Sequence, residues 1–220
     1  MAETSLHNDL KRWYALAGDE IEVPLDGYIV DIVRGDLLIE IQTRSFFSLR
    51  PKIIQLLANH PVHLVHPIAA EKWIVRIRSA EAEQTRRKSP KHGQIEHLFN
   101  ELVSIPELIL NPCFTLEILL TSEEEYWIDD GTGSWRRKGW RIADRKLVRV
   151  NESYRFSSSE DFHTLLPASL DNPFTSSDLA KHAHIPRRLA QKMTYCLRRC
   201  GVIQHVGNKN REYCYTETRK

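Results

Sequence analysis

An acidic residue, Asp31, stands near the end of an otherwise apolar strand-like run, Tyr28-Ile29-Val30-Asp31-Ile32-Val33. A second run, Leu37-Leu38-Ile39-Glu40-Ile41-Gln42-Thr43, returns after Arg34-Gly35. Side chains alternate faces along a strand, so Glu40 and Gln42 share a face. A two-residue turn at Arg34-Gly35 sets residue 33 against 36 and residue 31 against 38. Asp31 then lies one diagonal step from Glu40, about 7 Å at the backbone. Two carboxylates and an amide meet among Ile, Val and Leu. Burying carboxylates there is costly unless they are paired or hold a cation, and the spacing suits an oxygen-ligated divalent metal, Mg²⁺ or Mn²⁺. The competing reading is a half-covered sheet whose solvated side carries Asp31 and Glu40 as ordinary surface residues.

The elements around this pair follow a definite order. Ser5 to Leu16 has apolar residues at helical spacing (Leu6, Leu10, Trp13, Tyr14). Glu20 to Val23 alternates as a first strand, and the two runs above form the second and third. Phe46 to Asn59 predicts a helix with Leu49, Ile53, Leu56 and Leu57 as its buried stripe and Pro51 in its first turn. Val62 to Val65 and Trp73 to Ile77 read as two further strands.

Helix, three strands, helix, strand, with an acid late in the second strand and Glu-x-Gln on the third, resembles the PD-(D/E)XK nuclease superfamily over residues 5 to 78. The resemblance implies that Asp31 and Glu40 bind the metal and that Gln42 stands where the family's lysine is expected. A Gln amide can orient water or phosphate but brings no positive charge. Some members of the superfamily carry the basic residue on the following helix, where Lys52 is the candidate and Arg50 or Arg44 the alternatives. The implied catalytic set is Asp31, Glu40, Gln42 and Lys52. Asp9 or Glu20 would be a third carboxylate, with no spacing to select either. The layout as a whole also resembles a bacterial protein family.

Net charge is only +2, but basic residues are clustered. Arg86-Arg87-Lys88-Ser89-Pro90-Lys91 falls in a polar connection over 79–92. Trp135-Arg136-Arg137-Lys138-Gly139-Trp140-Arg141 alternates bulky and basic side chains after Gly131-Thr132-Gly133, as the second arm of a hairpin over 127–142. Such an arm can track a phosphate backbone with Trp135 or Trp140 free to stack on a base. It can equally be a strand with Trp inside and Arg outside. Between the clusters, 94–103 reads as a helix and 114–120 as a strand.

The last segment reads as three helices (159–166, 176–182, and one beginning at Ile185-Pro186) followed by two strands (202–206, 213–216). The layout resembles a winged helix. Arg187, Arg188, Gln191, Lys192 and Thr194 take outward positions on the third helix, where such residues reach phosphates and base edges. Lys209 and Arg211 lie at the tip of the wing. A protein-docking module is the alternative.

Four cysteines without C-x-x-C spacing imply neither a zinc site nor a disulfide framework. The N-terminus has no basic region followed by an apolar core, so a cytoplasmic protein is expected. The expected fold is α/β: a restriction-endonuclease-like mixed sheet flanked by helices (1–78), an α+β central segment (79–156) and a C-terminal winged helix (157–220). The expected function is a metal-dependent deoxyribonuclease gripping DNA through Arg86, Arg87, Lys88, Lys91, Arg136, Arg137, Lys138, Arg187, Arg188, Lys192, Lys209 and Arg211. It would act as a homodimer or within a larger DNA-processing complex. The alternative is a nuclease fold without activity, serving as a DNA-binding or accessory subunit.

Overall fold

The computed structural model describes residues 5–77, 84–133 and 135–218, with the side chain of Arg136 outside that set. The protein is of the α/β class, with a large mixed sheet flanked by helices. Helix α1 (Ser5–Tyr14) leads into three antiparallel strands, β1 (Glu20–Leu25), β2 (Tyr28–Arg34) and β3 (Leu37–Ile41). Helix α2 (Phe46–Leu56) then crosses to β4 (Val62–Ile77), parallel to β3. Ser45 caps α2, its hydroxyl accepting from Phe47 N–H. Because the helix starts at Phe46, Pro51 falls inside it rather than in its first turn.

The two strands expected at 62–65 and 73–77 are one strand of 16 residues. Pro67 does not break it, because β3 flanks β4 only over residues 62–65 and β5 (Gln84–Lys88) only over 73–77. Pro67 sits in the gap, where a missing N–H costs no bond on that edge. β4 pairs in parallel with β6 (Phe114–Ile128), and β6 pairs antiparallel with β7 (Arg141–Phe156).

The sheet therefore runs without interruption past residue 78, where a domain boundary was expected. The expected 94–103 helix is a 3-10 turn (Ile95–Leu98) followed by the short α3 (Phe99–Leu102). The expected second hairpin arm is a 3-10 turn at Trp135–Arg137, and the true return strand is β7. That loop closes tightly: a Cβ on Gly133 would meet the Gly139 carbonyl oxygen at 1.6 Å, so only glycine fits there.

Residues 174–217 carry a second sheet, β8 (Phe174–Thr175), β10 (Glu212–Glu217) and β9 (Ile203–Lys209) in that spatial order. It is packed with α4 (Ser176–His182) and α5 (Arg187–Arg199). Thr175 and Asp178 form a capping box on α4. One apolar core joins both sheets on the α2 side, including Leu64, Phe99, Phe114, Phe156, Phe162 and Leu197. A smaller core lies under α1: Leu6, Leu10, Ile32, Ile39, Ile41, Val65 and Leu119. Phe162 stacks on Phe156 at 4.4 Å between centroids and ties the C-terminal segment to β7. Phe162→Ala is expected to cost about 3–5 kcal/mol in urea denaturation, with both sheets unfolding in one transition. A separate early transition of the C-terminal segment would contradict this. Among the described residues no helix is long and apolar enough to cross a membrane.

Candidate functional site

The site forms where β2 and β3 part. Their observed register pairs Arg34 with Leu37, Val33 with Leu38 and Ile32 with Ile39. The turn is thus Gly35-Asp36, not Arg34-Gly35. The shift is by two residues, so faces are unchanged, but Asp31 comes opposite Glu40 rather than diagonal to it. The ladder stops there. Asp31 Oδ2 accepts the Ile41 N–H at 2.8 Å, so the carboxylate itself closes the fork. On the other side, Ile21 pairs with Ile32 and Val23 with Val30 while Glu22 and Asp31 between them do not pair, and Glu22 adopts φ 56°. A non-glycine residue held there costs about 1–3 kcal/mol.

Three basic side chains converge on these acids. His7 Nε2 lies 3.0 Å from Asp31 Oδ1, and Lys11 Nζ lies 3.7 Å from the same oxygen and 2.7 Å from Glu22 Oε1. Lys52, from the second turn of α2, places Nζ 2.5 Å from Glu40 Oε1 and donates to the Ile29 carbonyl at 2.6 Å. Burial would raise the Asp31 carboxyl, but His7, the Ile41 N–H and Lys11 together hold it below the usual carboxylate range. Glu40 goes the other way. Burial outweighs Lys52, the Asp31 charge adds to it, and its pKa is pushed up to about 7.

The structure brings Asp31, Glu40 and Lys52 together and leaves Gln42 out: its side-chain amide donates to the Ser45 carbonyl at 3.1 Å and braces the turn into α2. Asp9 points elsewhere, accepting the Leu147 N–H of β7, and Glu20 is exposed on β1. His7 and Lys11 were not identified from the sequence. Their i, i+4 spacing puts them on one face of α1, but which strands that face meets is decided by tertiary packing.

Could this site hold a metal? Among the described residues no three His, Cys, Asp or Glu side chains gather as a ligand set. Two carboxylates do face one another, and Mg²⁺ commonly takes one or two carboxylates with waters and substrate phosphate completing its shell. The raised Glu40 pKa shows a buried acid pair that a cation would relieve. The residues fit a hydrated divalent ion held by Asp31 and Glu40.

A second polar network lies under the C-terminal end of α1. Glu117 accepts from Tyr14 Oη at 2.7 Å and Ser153 Oγ at 2.5 Å, and lies 2.8 Å from His63 Nε2. Arg155 reaches His63 Nδ1 at 3.1 Å. Burial opposes ionisation of Glu117, yet these donors bring its pKa down to about 2.

The expected nucleic-acid contacts divide. Arg86 pairs with Glu124 at 2.7 Å, Lys88 with Glu71 at 2.6 Å and Arg187 with Glu212 at 2.7 Å. Lys192 turns inward to Asn100 of α3 at 2.9 Å, and Thr194 is buried with its hydroxyl on the Gln191 carbonyl, so neither is outward on α5. Trp140 is buried against Arg76 and not free to stack, whereas Trp135 is 82% exposed. Arg87, Lys91, Lys138, Arg188, Lys209 and Arg211 are exposed, and Arg137 is half-buried. Arg136's side chain lies outside the described residues.

Residues 4–157 match the family described as Domain of unknown function (DUF8091), a span that ends just after β7. An uncharacterized protein of Treponema pallidum (strain Nichols) is 33% identical over 180 residues, covering 81% of this chain and 72% of its own. No solved structure matches. The sheet that builds the Asp31–Glu40 site is thus the part covered by the family match, and the chain belongs to the family Domain of unknown function (DUF8091).

Proposed function

We propose that the protein is a metal-dependent nuclease of PD-(D/E)XK type acting on DNA in the cytoplasm. The observation that carries this is Lys52: a cation from the helix after β3 meets the acid of β3 at 2.5 Å, where a nuclease lacking the tripeptide lysine needs its basic group. The element order, three antiparallel strands, a helix and a parallel fourth strand, supports the same reading. Asp31 and Glu40 would hold Mg²⁺ or Mn²⁺, which when bound polarises phosphate and lowers the pKa of an attacking water. Lys52 offers positive charge to the phosphate, and Asp31, fixed by the Ile41 N–H, keeps its orientation. The spatial order β8-β10-β9 around α4 and α5 supports a winged helix. Its exposed α5 stripe, Arg188, Gln191, Tyr195 and Arg198, with Lys209 and Arg211, would supply grip.

A second reading has its own support. Asp31 and Glu40 already have Lys11 and Lys52 as charge partners, with His7 against Asp31, as expected of a scaffold that binds DNA without cutting it. Cleavage of labelled single-stranded, duplex and branched DNA with Mg²⁺ or Mn²⁺ separates the two. Metal-dependent cutting that falls at least about a hundredfold in both Asp31→Ala and Glu40→Ala is expected. Binding without cutting, unchanged in both variants, would leave the scaffold.

A further inference from the structure

Around β4, β5 and β6 several cations have a carboxylate: Arg86 with Glu124, Lys88 with Glu71, Arg141 with Asp130, and Arg145 with Glu125. Others do not, and three of these converge. Arg87, Lys91 and Arg137 have no carboxylate partner among the described residues, and all three line one cavity of about 520 Å³. Arg137 is held only through its Nε, which donates to the Trp140 carbonyl at 3.3 Å. Lys72 also lines the cavity. The one acid in its wall, Glu125, is taken: Lys72 lies 3.2 Å from Oε1, Arg145 3.5 Å from the same oxygen, and Trp127 Nε1–H donates to Oε2 at 3.0 Å. Unpaired like charges converging on one hollow repel each other, and an anion relieves that repulsion.

Apart from Ser89, whose hydroxyl accepts the Lys91 N–H, the rest of the wall is apolar, with Ile74, Pro90, Trp127 and Ile142. The volume falls within the roughly 300–1,000 Å³ of small-molecule sites. Such a wall does nothing for a bare inorganic ion and suits a planar body attached to the anion. Ile142 is shared with a smaller cavity of about 220 Å³ bordered by Thr43 and Arg44, which follow directly on Glu40-Ile41-Gln42.

We propose that this cavity binds a nucleoside phosphate, either free or as one unpaired unit of a strand. The phosphate lies against Arg87, Lys91 and Arg137 and the base against Ile74, Trp127 and Ile142. Only the strand-borne form rests on the nucleic-acid reading above.

The test is calorimetric titration of the full chain with deoxyadenosine monophosphate, deoxyadenosine, inorganic phosphate and a ten-nucleotide single strand. Wild type is compared with Arg87→Glu, Lys91→Glu, Arg188→Glu of α5 and, as a control, Lys181→Glu on α4, with melting curves to confirm folding. Both cavity residues and Lys181 are exposed, so the variants should fold. The nucleotide is expected to bind at least about tenfold more tightly than either phosphate or deoxyadenosine, and each cavity variant to weaken it at least about tenfold, while Lys181→Glu leaves it unchanged. Equal binding of phosphate and nucleotide would overturn the proposal, as would nucleotide binding indifferent to Arg87→Glu and Lys91→Glu. Strand binding lost only in Arg188→Glu, without nucleotide binding, would overturn the cavity and leave the nucleic-acid reading standing. Nucleotide binding without strand binding would support the cavity for the free ligand and count against that reading.

Discussion

Between pH 5 and pH 7 the affinity of the protein for Mn²⁺ is expected to rise by about fiftyfold, and Glu40→Gln is expected to abolish the rise. A carboxylate ligand must lose its proton before it binds a metal, so below its pKa affinity climbs about tenfold per pH unit. For an ordinary exposed glutamate that climb is over by about pH 4.3. Glu40 is different because burial, reinforced by Asp31, outweighs Lys52 and pushes its pKa up to about 7. The same shift sets a stability trend in metal-free protein. The folded pKa lies above the ordinary glutamate value of 4.5, so this group's stabilisation is complete below about pH 4.5 and is lost as pH rises through about 7. At about 1.4 kcal/mol per unit the full effect is about 3 kcal/mol. Added Mn²⁺ at pH 8 should restore what Glu40 takes away. Titrations of Mn²⁺ across this range, paired with thermal melts, check both statements. A flat affinity from pH 5 to pH 7 would mean that Glu40 is not a metal ligand.

Glu117→Ala is expected to destabilise the protein by about 3–5 kcal/mol, the usual loss when one member of a buried ionic network is removed. The carboxylate satisfies Tyr14, Ser153 and His63 together, and the first of these fastens the end of α1 to the sheet. Removing it leaves the His63 ring buried with Arg155 beside it and no counter-charge. Here the pH sign is the reverse of Glu40. The folded pKa, about 2, lies below the ordinary glutamate value of 4.5, so the stabilisation is present above about pH 4.5 and disappears as pH falls toward 2. Urea denaturation at pH 7 and at pH 3 should therefore show a wild-type advantage over Glu117→Ala that shrinks in acid. A difference below about 1 kcal/mol at pH 7 would show that the network contributes little.

Local patterns in the sequence carried the acid pair a long way. Period-two alternation keeps Asp31 and Glu40 on a common face at either turn, because an error of two residues in register leaves faces unchanged. Lys52 was legible because it lies one helix away from Glu40 in sequence. His7 and Lys11 were not, since they reach Asp31 only through the packing of α1 across the sheet. β7 was invisible for another reason. Its residues, Arg141 to Phe156, are largely polar and mostly half-buried or exposed, so the strand has no apolar periodicity and exists because β6 offers it a full-length partner. Pro67 and the adjacent alanines misled in the opposite sense, splitting β4 where pairing with β6 carries it through. The inward turns of Lys192 and Thr194 reflect the docking of α5 on α3, a contact no helical period reveals.

The unbroken length of β4 has a consequence for where a nucleic acid would be cut. Leu64 pairs with Glu40 at one end, and Ile74 lines the basic cavity toward the other. Roughly ten residues at about 3.3 Å each set the two about 30 Å apart along the strand. β4 is paired with β6 on either side of one irregularity between Ala69 and Glu71, which makes the connection a strut rather than a tether. A strand end anchored in the hollow would present the same phosphate to Asp31 and Glu40 every time. Fragment length would then be dictated by the protein's own backbone, and it would be uniform whatever bases lay between.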